Sequence, residues 1–498
     1  MSRPSWSLAD LLAAAGLAPD APVPAVAVTQ VTDDSRKVQP GALFVAVRGS
    51  QADGHRHLRE AVDRGARAVL VEEEATLPQG VIQLAVPSTR RWLGPLAHAF
   101  LGSPSRQLRM VGVTGTKGKT TVTWLIQHLL EQSGIACGLL GTVFHRWGKQ
   151  TLPSDNTTPG ALELQEYLRE MGDAGMEACA LEVSSHALDQ HRTEGIRWAC
   201  AVFTNLHSEH LDYHGTWEGY LQAKRRLFES LPAEGAAVLN LSDPSFPKIR
   251  EAVRGRVVTY GLADGADWTA QVRQTSLEGI SFVLRGPQGR WGPIRSRLIG
   301  LHNLENLLAA LAAAEILGLS PDRAAGHVAS FAGVPGRLER VECGRPFPIF
   351  VDYAHTEGAL RRVLSELRAI TDRKIITVFG CGGDRDRAKR PRMGRAAAEL
   401  SDRVIVTSDN PRSEDPAEIV RQIVAGMEGG RGGFKLILDR REAIAAALEW
   451  ANEEWLVLIA GKGHESRQIF SDRVVPFDDR QVVHELLGVP GARCAVSS

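Results

Sequence analysis

The chain has 498 residues, of which 43% are hydrophobic and 23% charged, the composition of an ordinary globular protein of about three domains. Its 58 basic and 58 acidic side chains give a formal net charge of +0, so no overall field attracts nucleic acid or an anionic membrane, and neither is expected as a partner. Its 6 scattered cysteines include no C-x-x-C pair, which argues against a disulfide framework or a zinc site and fits a reducing cytoplasm.

The first residues predict a short amphipathic helix and not a signal peptide. Asp10 interrupts the apolar run that starts at Leu8, and Ser5 or Ser7 can cap a helix there. No stretch approaches about 18 apolar residues without a charge or a turn signal, so no membrane span is expected. These features favour a cytoplasmic protein.

Turn-rich breaks divide the chain into three segments. A linker is predicted at residues 101–105, LGSPS, and a second break at 333–336, GVPG. We therefore predict a small N-terminal α/β domain at 1–104, a central domain at 105–333 and a C-terminal domain at 334–498.

Apolar runs that alternate with helical patterns predict the α/β fold class. The runs are 43–47 and 68–71 in the first segment, 110–113, 178–183, 198–203 and 236–241 in the second, and 348–351, 374–379, 403–407 and 455–460 in the third. The central segment should form a largely parallel, mononucleotide-binding sheet with helices on both faces, and the third segment a Rossmann-like unit. Ligands bind such sheets at the carboxyl ends of the strands. Seven polar loops follow strands in this way and predict one large site shared by two domains: TGTKGKTT, EVSSH, TNLHSEHLDYHG, DYAHT, GCGGDRDR, SDNPRSEDP and AGKGHE.

Residues 110–121, MVGVTGTKGKTT, carry the most specific pattern in the chain. An apolar strand breaks into a loop with Gly115 and Gly118, meets Lys119 and continues as a helical pattern. Such a loop offers backbone N–H groups to phosphates, the helix N-terminus adds partial positive charge, the lysine reaches the terminal phosphates and a threonine hydroxyl ligates Mg²⁺. Val113 stands where the generic motif has glycine, and a glycine-rich turn can be only a turn. Strand, Lys-Thr-Thr and helix together favour ATP binding.

Two further strand ends carry candidate metal ligands. Glu182 ends one predicted strand and His210 follows the next, so a carboxylate and an imidazole can meet beside the phosphate loop. Mg²⁺ takes few protein ligands and fills its other positions with water and phosphate oxygens. A lone loop histidine is more often a hydrogen-bonding residue, but Glu182 and the phosphate loop favour a divalent cation here.

Ten segments of the chain, in this order, resemble the Mur ligases: TGTKGKTT, NTTP, LEVSSHAL, NLHSEHLDYHGT, GLHNLEN, PGRLE, DYAHT, GCGGDRDR, SDNPRSEDP and AGKGHE. The resemblance extends from Asp33 to Gln468. It implies an ATP-dependent ligase that adds the third residue of the peptidoglycan stem peptide, a step of cell-wall biogenesis on which cell shape and division depend. In this family the γ-phosphate of ATP passes to a substrate carboxylate, and an amine attacks the acyl phosphate. A free carboxylate is a poor electrophile, so the protein contributes positioning and charge stabilisation.

The resemblance implies ATP contacts at Gly115, Thr116, Lys117, Gly118, Lys119, Thr120, Thr121, Asn303, Arg337 and Asp352. It implies Mg²⁺ as cofactor, held by Thr120, Glu182, His210 and Lys224. Lys224 matches a lysine that family members carry as a carbamate formed with CO₂, which supplies anionic oxygens to the metal. The catalytic residues implied are Lys119, Lys224, His210 and Glu182. Without the resemblance, Lys224 would be a solvated helix lysine and Asn303 a helix N-cap before Leu304.

The acid substrate implied is UDP-N-acetylmuramoyl-L-alanyl-D-glutamate. Its uridine diphosphate part would contact Asp33, Ser35, Ser50, Gln51 and Ala52, and its muramoyl peptide Asn156, Thr157, Thr158, Ser184, Gln190 and Arg192. Arg192 suits a carboxylate or phosphate because its guanidinium donates two parallel hydrogen bonds. By default, each of these would be an ordinary polar loop residue.

The amino-acid pocket implied in the third segment comprises Arg385, Asp409, Asn410, Pro411, Arg412, Gly461 and Glu465. The run Asp-Asn-Pro-Arg resembles the version associated with meso-diaminopimelate. Arg412 can clamp the distal carboxylate, which L-lysine and L-ornithine lack, and Asp409 and Glu465 can receive the distal ammonium. Without the resemblance, Arg412 would be a surface turn residue. The first alternative for the reaction is the same ligation with L-lysine or L-ornithine as the third residue.

Three positions depart from the pattern common in the family: Lys117 replaces asparagine, Glu209 replaces aspartate and Glu357 replaces proline. Glu357 adds an acid at a helix start, where the helix dipole favours it. A second alternative is a folylpolyglutamate-type synthetase, although those enzymes have Gly-Lys-Gly-Ser at the loop and lack the first domain. The third alternative is a nucleotide-binding scaffold without catalysis. The presence together of Lys119, Glu182, His210 and Lys224 argues against it.

Overall fold

The computed structural model describes residues 5–18, 22–49, 52–207 and 209–489. The chain forms two compact units. The first comprises the chain up to residue 271 together with 284–292 and 305–328, and the second comprises 272–283, 293–304 and the chain from 329 onward. Within the described ranges, no helix is both long and apolar enough to cross a membrane.

The N-terminal segment folds around a small parallel sheet. Its elements are β1 (Trp6–Ser7), α1 (Leu8–Ala15), β2 (Ala27–Val28), β3 (Gln30–Thr32), β4 (Ala42–Val45), α2 (Leu58–Asp63), β5 (Ala68–Val71), β6 (Ile82–Ala85) and α3 (Thr89–Phe100). Strands β3, β4, β5 and β6 pair in that order, all parallel. Leu11 of α1 lies in the core with Leu43 on one face, and Leu58 of α2 with Phe44 on the other. The predicted N-terminal helix is confirmed, with Ser7 as its cap.

The central segment folds around an eight-stranded sheet. Its elements are β7 (Arg109–Thr114), α4 (Lys119–Gln132), β8 (Cys137–Leu140), β9 (Phe144–Trp147), β10 (Gln150–Pro153), α5 (Ala161–Asp173), β11 (Ala178–Glu182), α6 (Ser185–Asp189), β12 (Trp198–Phe203), α7 (Leu211–His214), α8 (Trp217–Glu229), β13 (Ala236–Asn240), α9 (Phe246–Arg250) and β14 (Arg256–Tyr260). The strand order is β10-β9-β8-β11-β7-β12-β13-β14. Pairing is parallel except where β9 meets β8 and β10. Strand β7 lies between β11 and β12, so the loops after these three strands begin at one edge of the sheet.

A three-stranded sheet follows that the sequence did not predict. It comprises β15 (Thr269–Ser276), β16 (Gly279–Gly286) and β17 (Gly289–Ser296). Most residues of β15 and β17 are not buried, and glycines interrupt the runs, so these strands lack the continuous apolar signal of the parallel sheets. Helices α10 (Leu301–Ile316) and α11 (Pro321–His327) come next.

The C-terminal segment is a second α/β layer structure. Its elements are β18 (Glu339–Arg340), β19 (Ile349–Asp352), α12 (Glu357–Ile370), β20 (Lys374–Phe379), α13 (Lys389–Leu400), β21 (Arg403–Val406), α14 (Pro416–Val424), β22 (Gly433–Leu436), α15 (Arg440–Trp450), β23 (Trp455–Ala460), β24 (Arg467–Ile469), β25 (Val474–Pro476) and α16 (Asp479–Leu487). The sheet order is β18-β19-β23-β20-β21-β22, parallel except for β18. Helices cover both faces. Glu357 opens α12 behind its cap Thr356, as expected for an acid at a helix start.

A buried ion pair joins α15 to α16. Arg440 Nε donates to Asp479 Oδ1 at 2.7 Å and Arg440 Nη2 to Asp479 Oδ2 at 2.8 Å, and neither side chain is exposed. Arg441 and Glu485 form a second pair between the same helices, with 47% and 59% of their side chains exposed. Removal of one partner from the buried pair would leave a charge that neither water nor a counter-ion compensates.

We expect Asp479→Asn to weaken the packing of α15 and α16 by about 3 kcal/mol or more, because Arg440 would stay buried without its counter-charge. Glu485→Gln is the matched control and should cost less than about 1 kcal/mol. Hydrogen–deuterium exchange of the amides of both helices measures the free energy of opening. Equal protection in the two variants would contradict the importance of the buried pair.

Candidate active site

The phosphate loop connects β7 to α4 in a conformation that requires glycine twice. Gly115 has a φ of 148° and Gly118 a φ of 89°. A Cβ on Gly115 would overlap Thr204 Oγ1, and a Cβ on Gly118 would overlap Asn306 Oδ1. Other residues rarely adopt these backbone angles, and neither position has room for a side chain. The loop backbone can therefore approach its neighbours closely, immediately before Lys119 starts the helix.

The segment after β12 fixes the loop through hydrogen bonds. Asn205 accepts from Thr116 N through its carbonyl at 2.8 Å and from Lys117 N through its side-chain oxygen at 2.9 Å. Thr204 Oγ1 donates to Lys117 O at 2.6 Å. His207 N donates to Thr116 Oγ1 at 2.9 Å. Thr204 and Asn205 are absent from the predicted site residues, although their position directly after a buried strand is a signal for such a role.

Two lysines donate to the same carbonyl oxygen of the loop. Lys119 Nζ donates to Gly115 O at 2.9 Å and to Thr116 O at 3.1 Å, and Lys224 Nζ donates to Gly115 O at 2.8 Å. Lys224 is only 1% exposed, and its Nζ lies 4.6 Å from the ring centre of Tyr220. Burial, assisted by the charge of Lys119, lowers the pKa of Lys224 well below its ordinary value. The interpretation of Lys224 as a solvated helix lysine is therefore wrong.

Glu182, at the end of β11, is fully buried and contacts the first turn of α4. Its Oε2 accepts from Thr120 Oγ1 at 2.9 Å and from Thr142 Oγ1 at 3.0 Å. Its Oε1 accepts from Thr142 N at 2.9 Å. Two of the predicted Mg²⁺ ligands, Thr120 and Glu182, are thus in direct contact.

His210 lies at the start of α7 with a φ of 57°. Its ring centre is 6.1 Å from that of Tyr220 and 5.0 Å from that of His186. Burial lowers the pKa of His210, which keeps the imidazole neutral at neutral pH, the form that binds metals. No three His, Cys, Asp or Glu side chains of the described ranges are grouped to hold a metal ion. A cation here would also need hydroxyl, phosphate and water oxygens, which suits Mg²⁺.

Two of the departures from the family's pattern contact each other. Lys117 Nζ forms an ion pair with a carboxylate oxygen of Glu209. Burial alone would raise the pKa of Glu209, but the Lys117 ammonium outweighs it, and the pKa lies below its ordinary value. The charge that Lys117 brings to the loop is therefore matched by Glu209.

Four of the residues predicted to hold the muramoyl peptide form one network beside Glu182. Thr158 Oγ1 donates to the Glu182 carbonyl at 2.7 Å and accepts from Ser184 N at 3.1 Å. Arg192 Nη1 donates to Thr158 O at 2.9 Å. Its Nε and Nη2 donate to Gln190 Oε1 at 3.1 and 2.8 Å. The network connects this predicted substrate surface to the main chain of Glu182, whose carboxylate contacts the first turn of α4.

Of the remaining residues predicted for the muramoyl peptide, one has a side-chain contact and one is exposed. The Thr157 hydroxyl lies 3.1 Å from Thr142 Oγ1, itself a contact of Glu182. Asn156 is exposed on the same loop.

The residues predicted for the uridine diphosphate part lie after neighbouring strands of the N-terminal sheet. Asp33 is exposed directly after β3, and Ser35 Oγ donates to Glu60 Oε2 at 2.7 Å. Ala52 is exposed after β4, and its carbonyl accepts from Gly49 N at 2.8 Å. Predicted contacts Ser50 and Gln51 lie outside the described residues.

Three predicted ATP contacts lie in the second unit. Asp352 is buried at the end of β19 and accepts from Leu338 N at 2.6 Å and Ala354 N at 2.8 Å. Burial raises the pKa of Asp352, and the charge of Arg337 opposes this. The Arg337 guanidinium lies 4.9 Å from the ring centre of Tyr353.

Asn303 also belongs to the second unit. It lies in the first turn of α10, which begins at Leu301, and its Nδ2 donates to Ile299 O at 2.8 Å. Asn303 is therefore inside the helix, and its interpretation as an N-cap before Leu304 is wrong.

The loops after β21 and β23 meet in the predicted amino-acid pocket. Asn410 Nδ2 donates to Glu465 Oε2 at 2.8 Å. Gly461 has a φ of 111°, and a Cβ there would lie 2.6 Å from Asp409 Oδ2. Arg412 also has a positive φ, 54°, as residues in tight turns often do, and it is half-buried.

The loop after β20 completes this group. Arg412 Nη1 donates to Gly383 O at 2.7 Å, and Gly383 N donates to Asn410 O at 2.9 Å. Pro411 lies between Asn410 and Arg412 in the chain. Arg385 is exposed on the same loop as Gly383. Sequence reasoning missed Lys462, a fully buried lysine that also contacts this group.

Three Mur ligase domain families match the chain: the Mur ligase family catalytic domain at residues 27–101, the Mur ligase middle domain at 113–314 and the Mur ligase glutamate ligase domain at 336–463. The chain is 43% identical over 471 residues to UDP-N-acetylmuramoyl-L-alanyl-D-glutamate–2,6-diaminopimelate ligase of Geobacter metallireducens, over 90% of this chain and 92% of the relative. A solved structure of a ligase of that name matches with a TM-score of 0.73 and 36% identity, over 97% of this chain and 99% of that one.

The chain belongs to the Mur ligase family, so it is a ligase with an α/β fold, and the resemblance found in the sequence is confirmed. The folylpolyglutamate synthase of Mycobacterium tuberculosis matches at 20% identity with a TM-score of 0.61, over 79% of this chain and 94% of that one. That match is a likeness of fold alone.

We expect Gly115→Ala to weaken ATP binding by at least about tenfold, because a side chain at this φ overlaps Thr204 and must displace the loop. Gly326→Ala is the matched control, since nothing lies within 4 Å of the added Cβ. Isothermal titration calorimetry with ATP measures both affinities. Full affinity in Gly115→Ala would contradict phosphate binding by this loop.

Proposed function

We propose that the chain is an ATP-dependent cytoplasmic ligase that joins meso-diaminopimelate to UDP-N-acetylmuramoyl-L-alanyl-D-glutamate in peptidoglycan precursor synthesis. The observation that carries this proposal is the 43% identity, over 90% of the chain, to a relative named for these two substrates. The 409–412 loop and the phosphate loop support it, because one suits a diamino acid and the other a nucleotide. We also propose the three domains 1–104, 105–333 and 334–498.

The proposed reaction proceeds through an acyl phosphate. The γ-phosphoryl group passes from ATP to a carboxylate oxygen of the D-glutamyl residue, which releases ADP. The amine nitrogen of diaminopimelate attacks the acyl carbon, phosphate leaves with the electron pair of the broken C–O bond, and the amine gives up a proton. In this scheme Lys119 contacts the transferring group, and the backbone N–H groups of the loop hold the phosphates. The ATP contacts proposed beyond the loop are Asn303, Arg337 and Asp352.

We propose that Thr120, Glu182, His210 and a carbamate on Lys224 hold Mg²⁺. The bound ion would neutralise charge on the phosphates during transfer. Support comes from the Thr120–Glu182 hydrogen bond, which presents a hydroxyl and a carboxylate together. The lowered pKa of His210 adds a neutral imidazole.

The carbamate on Lys224 requires a neutral amine, because the nitrogen lone pair attacks the carbon of CO₂ and the nitrogen then loses a proton. Burial lowers the pKa of Lys224 well below its ordinary value, so the neutral amine is more populated than in an exposed lysine. The product places a negative charge over two oxygens, whereas an ammonium would repel a metal ion.

We expect ¹³C-labelled bicarbonate to give a carbamate carbon resonance in the protein that is missing in Lys224→Arg. Lys149→Arg, at an exposed lysine, is the matched control and should keep the resonance. Because acid protonates the amine, the resonance and the ligase activity should both decrease as the pH falls through the lowered pKa of Lys224. NMR over a pH series measures this. An equal resonance in Lys224→Arg would contradict the carbamate.

The acid substrate is proposed to contact Asp33, Ser35, Ser50, Gln51, Ala52, Asn156, Thr157, Thr158, Ser184, Gln190 and Arg192. The Thr158 network supports this assignment, because it connects the predicted peptide surface to Glu182 beside the phosphate loop. A carboxylate held there would lie on the side of the sheet where the phosphates bind.

Selection of the third residue is proposed to depend on Arg412, within the pocket of Arg385, Asp409, Asn410, Pro411, Gly461 and Glu465. One nitrogen of Arg412 is held by Gly383 O, which fixes the guanidinium and leaves its other donors for a ligand. L-Lysine and L-ornithine have no distal carboxylate and would leave these donors without a partner, a costly arrangement in a closed site.

We expect ADP release to depend on meso-diaminopimelate, with a kcat/KM at least about 10³-fold above that for L-lysine or L-ornithine. Arg412→Ala should reduce this preference by at least about 10²-fold. Arg473→Ala, at an exposed arginine of the same unit, is the matched control. A preference for lysine or ornithine would overturn the third residue, and no ADP release with any amino acid would overturn the proposed ligase activity.

A further inference from the structure

The loop after β23 carries a buried lysine that none of the roles above uses. The side chain of Lys462 is 0% exposed. Its Nζ donates to Asn410 Oδ1 and to Glu465 Oε2, each at 3.1 Å. A buried ammonium is stable only with such partners, so Lys462 joins the loop after β21 to the loop after β23.

Asn410 is held in one orientation by this contact. Its Oδ1 accepts from both Lys462 Nζ and Ile469 N, the latter at 3.1 Å. Two donors on one side fix the oxygen there and direct the amide nitrogen to Glu465 Oε2, 2.8 Å away.

Glu465 is consequently held by one of its two oxygens. Oε2 accepts from Lys462 and Asn410, whereas Oε1 forms no hydrogen bond with any residue of the described ranges. The side chain is 33% exposed, so one oxygen is fixed inside and the carboxylate still reaches the surface of the pocket. Asp409, on the loop after β21, adds a second carboxylate. Its Oδ2 lies close to Gly461, which is on the same loop as Glu465.

We propose that Lys462 is a positioning residue for amino-acid selection. It holds Asn410 and Glu465 so that the outward oxygen of Glu465 receives the distal ammonium of the incoming diamino acid. The inference rests on the proposed function, and it assigns Lys462 an effect on one substrate group only. A lysine that merely stabilised the loops would affect every amino acid alike.

The test compares meso-diaminopimelate with 2-aminopimelate, which keeps both carboxylates and one amine but lacks the distal ammonium. In Lys462→Met we expect the KM for meso-diaminopimelate to rise by about tenfold or more, the size expected for a misplaced charged hydrogen bond. The KM values for 2-aminopimelate, ATP and the acid substrate should change by less than about twofold. The preference of the wild-type enzyme for meso-diaminopimelate over 2-aminopimelate would therefore largely disappear.

Four further variants complete the design. Lys374→Met, at an exposed lysine of the same sheet, is the matched control. Glu465→Gln should give the same loss of preference, and the double variant should be no worse than the poorer single one, because both act through one contact. Lys462→Gln replaces the charged group by a neutral polar one, and it is used for the same comparison if Lys462→Met does not fold.

A preference that stays at the wild-type value in a folded Lys462 variant would overturn the inference. Equal losses for the two amino acids would overturn it too, because they indicate a general structural role. If the wild-type protein releases no ADP with either amino acid, the proposed function fails first, so the two failures are distinguishable.

Discussion

The carbonyl oxygen of Gly115 accepts hydrogen bonds from both Lys119 and Lys224, and the arrangement proposed for the active site depends on this shared acceptor. Burial removes water from the Lys224 ammonium, and the Lys119 ammonium, which approaches the same oxygen, repels it as well. Loss of a proton from Lys224 relieves both effects, which is why its pKa lies well below the ordinary value. The chemistry proposed for Lys224 therefore begins with a turn whose backbone angles favour glycine.

The order of the strands determines which segments reach that turn. Strand β7 lies between β11 and β12, and the register places Glu182 opposite Val113 and Phe203 opposite Thr114. Glu182, whose carboxylate contacts Thr120, is consequently 62 residues away from it in the sequence. Asn205, whose amide oxygen accepts from Lys117 N, is 88 residues away from Lys117. Parallel pairing brings these distant residues to one edge without any specific loop geometry.

Local patterns could be predicted from the sequence, and so could the meeting of Glu182 with the segment after β7, because both follow parallel strands. The other contacts between distant segments could not be predicted. The runs 198–203, 374–379 and 455–460 coincide with observed strands, because strands buried on both faces are apolar throughout. The phosphate loop was predicted for a similar reason, since strand, glycines and helix are contiguous. The burial of Lys224 and the contacts of Lys462 depend on which loops meet in space, and a single sequence carries no signal of that. Strands β15 and β17 were missed because exposed residues interrupt them.

Lys117 and Glu209 illustrate the same limit at the level of charge. In the sequence they are two separate departures from the family's pattern, whereas in the structure they form an ion pair. Asparagine with aspartate carries one negative charge, and lysine with glutamate carries none, so this chain has one more positive charge beside its phosphate loop. Glu209 also acts on a second lysine, because its carboxylate raises the pKa of Lys224, against the lowering by burial and by Lys119. One carboxylate thus pairs with Lys117 and acts on Lys224, so the two departures from the family's pattern affect the charge at the loop together and not separately.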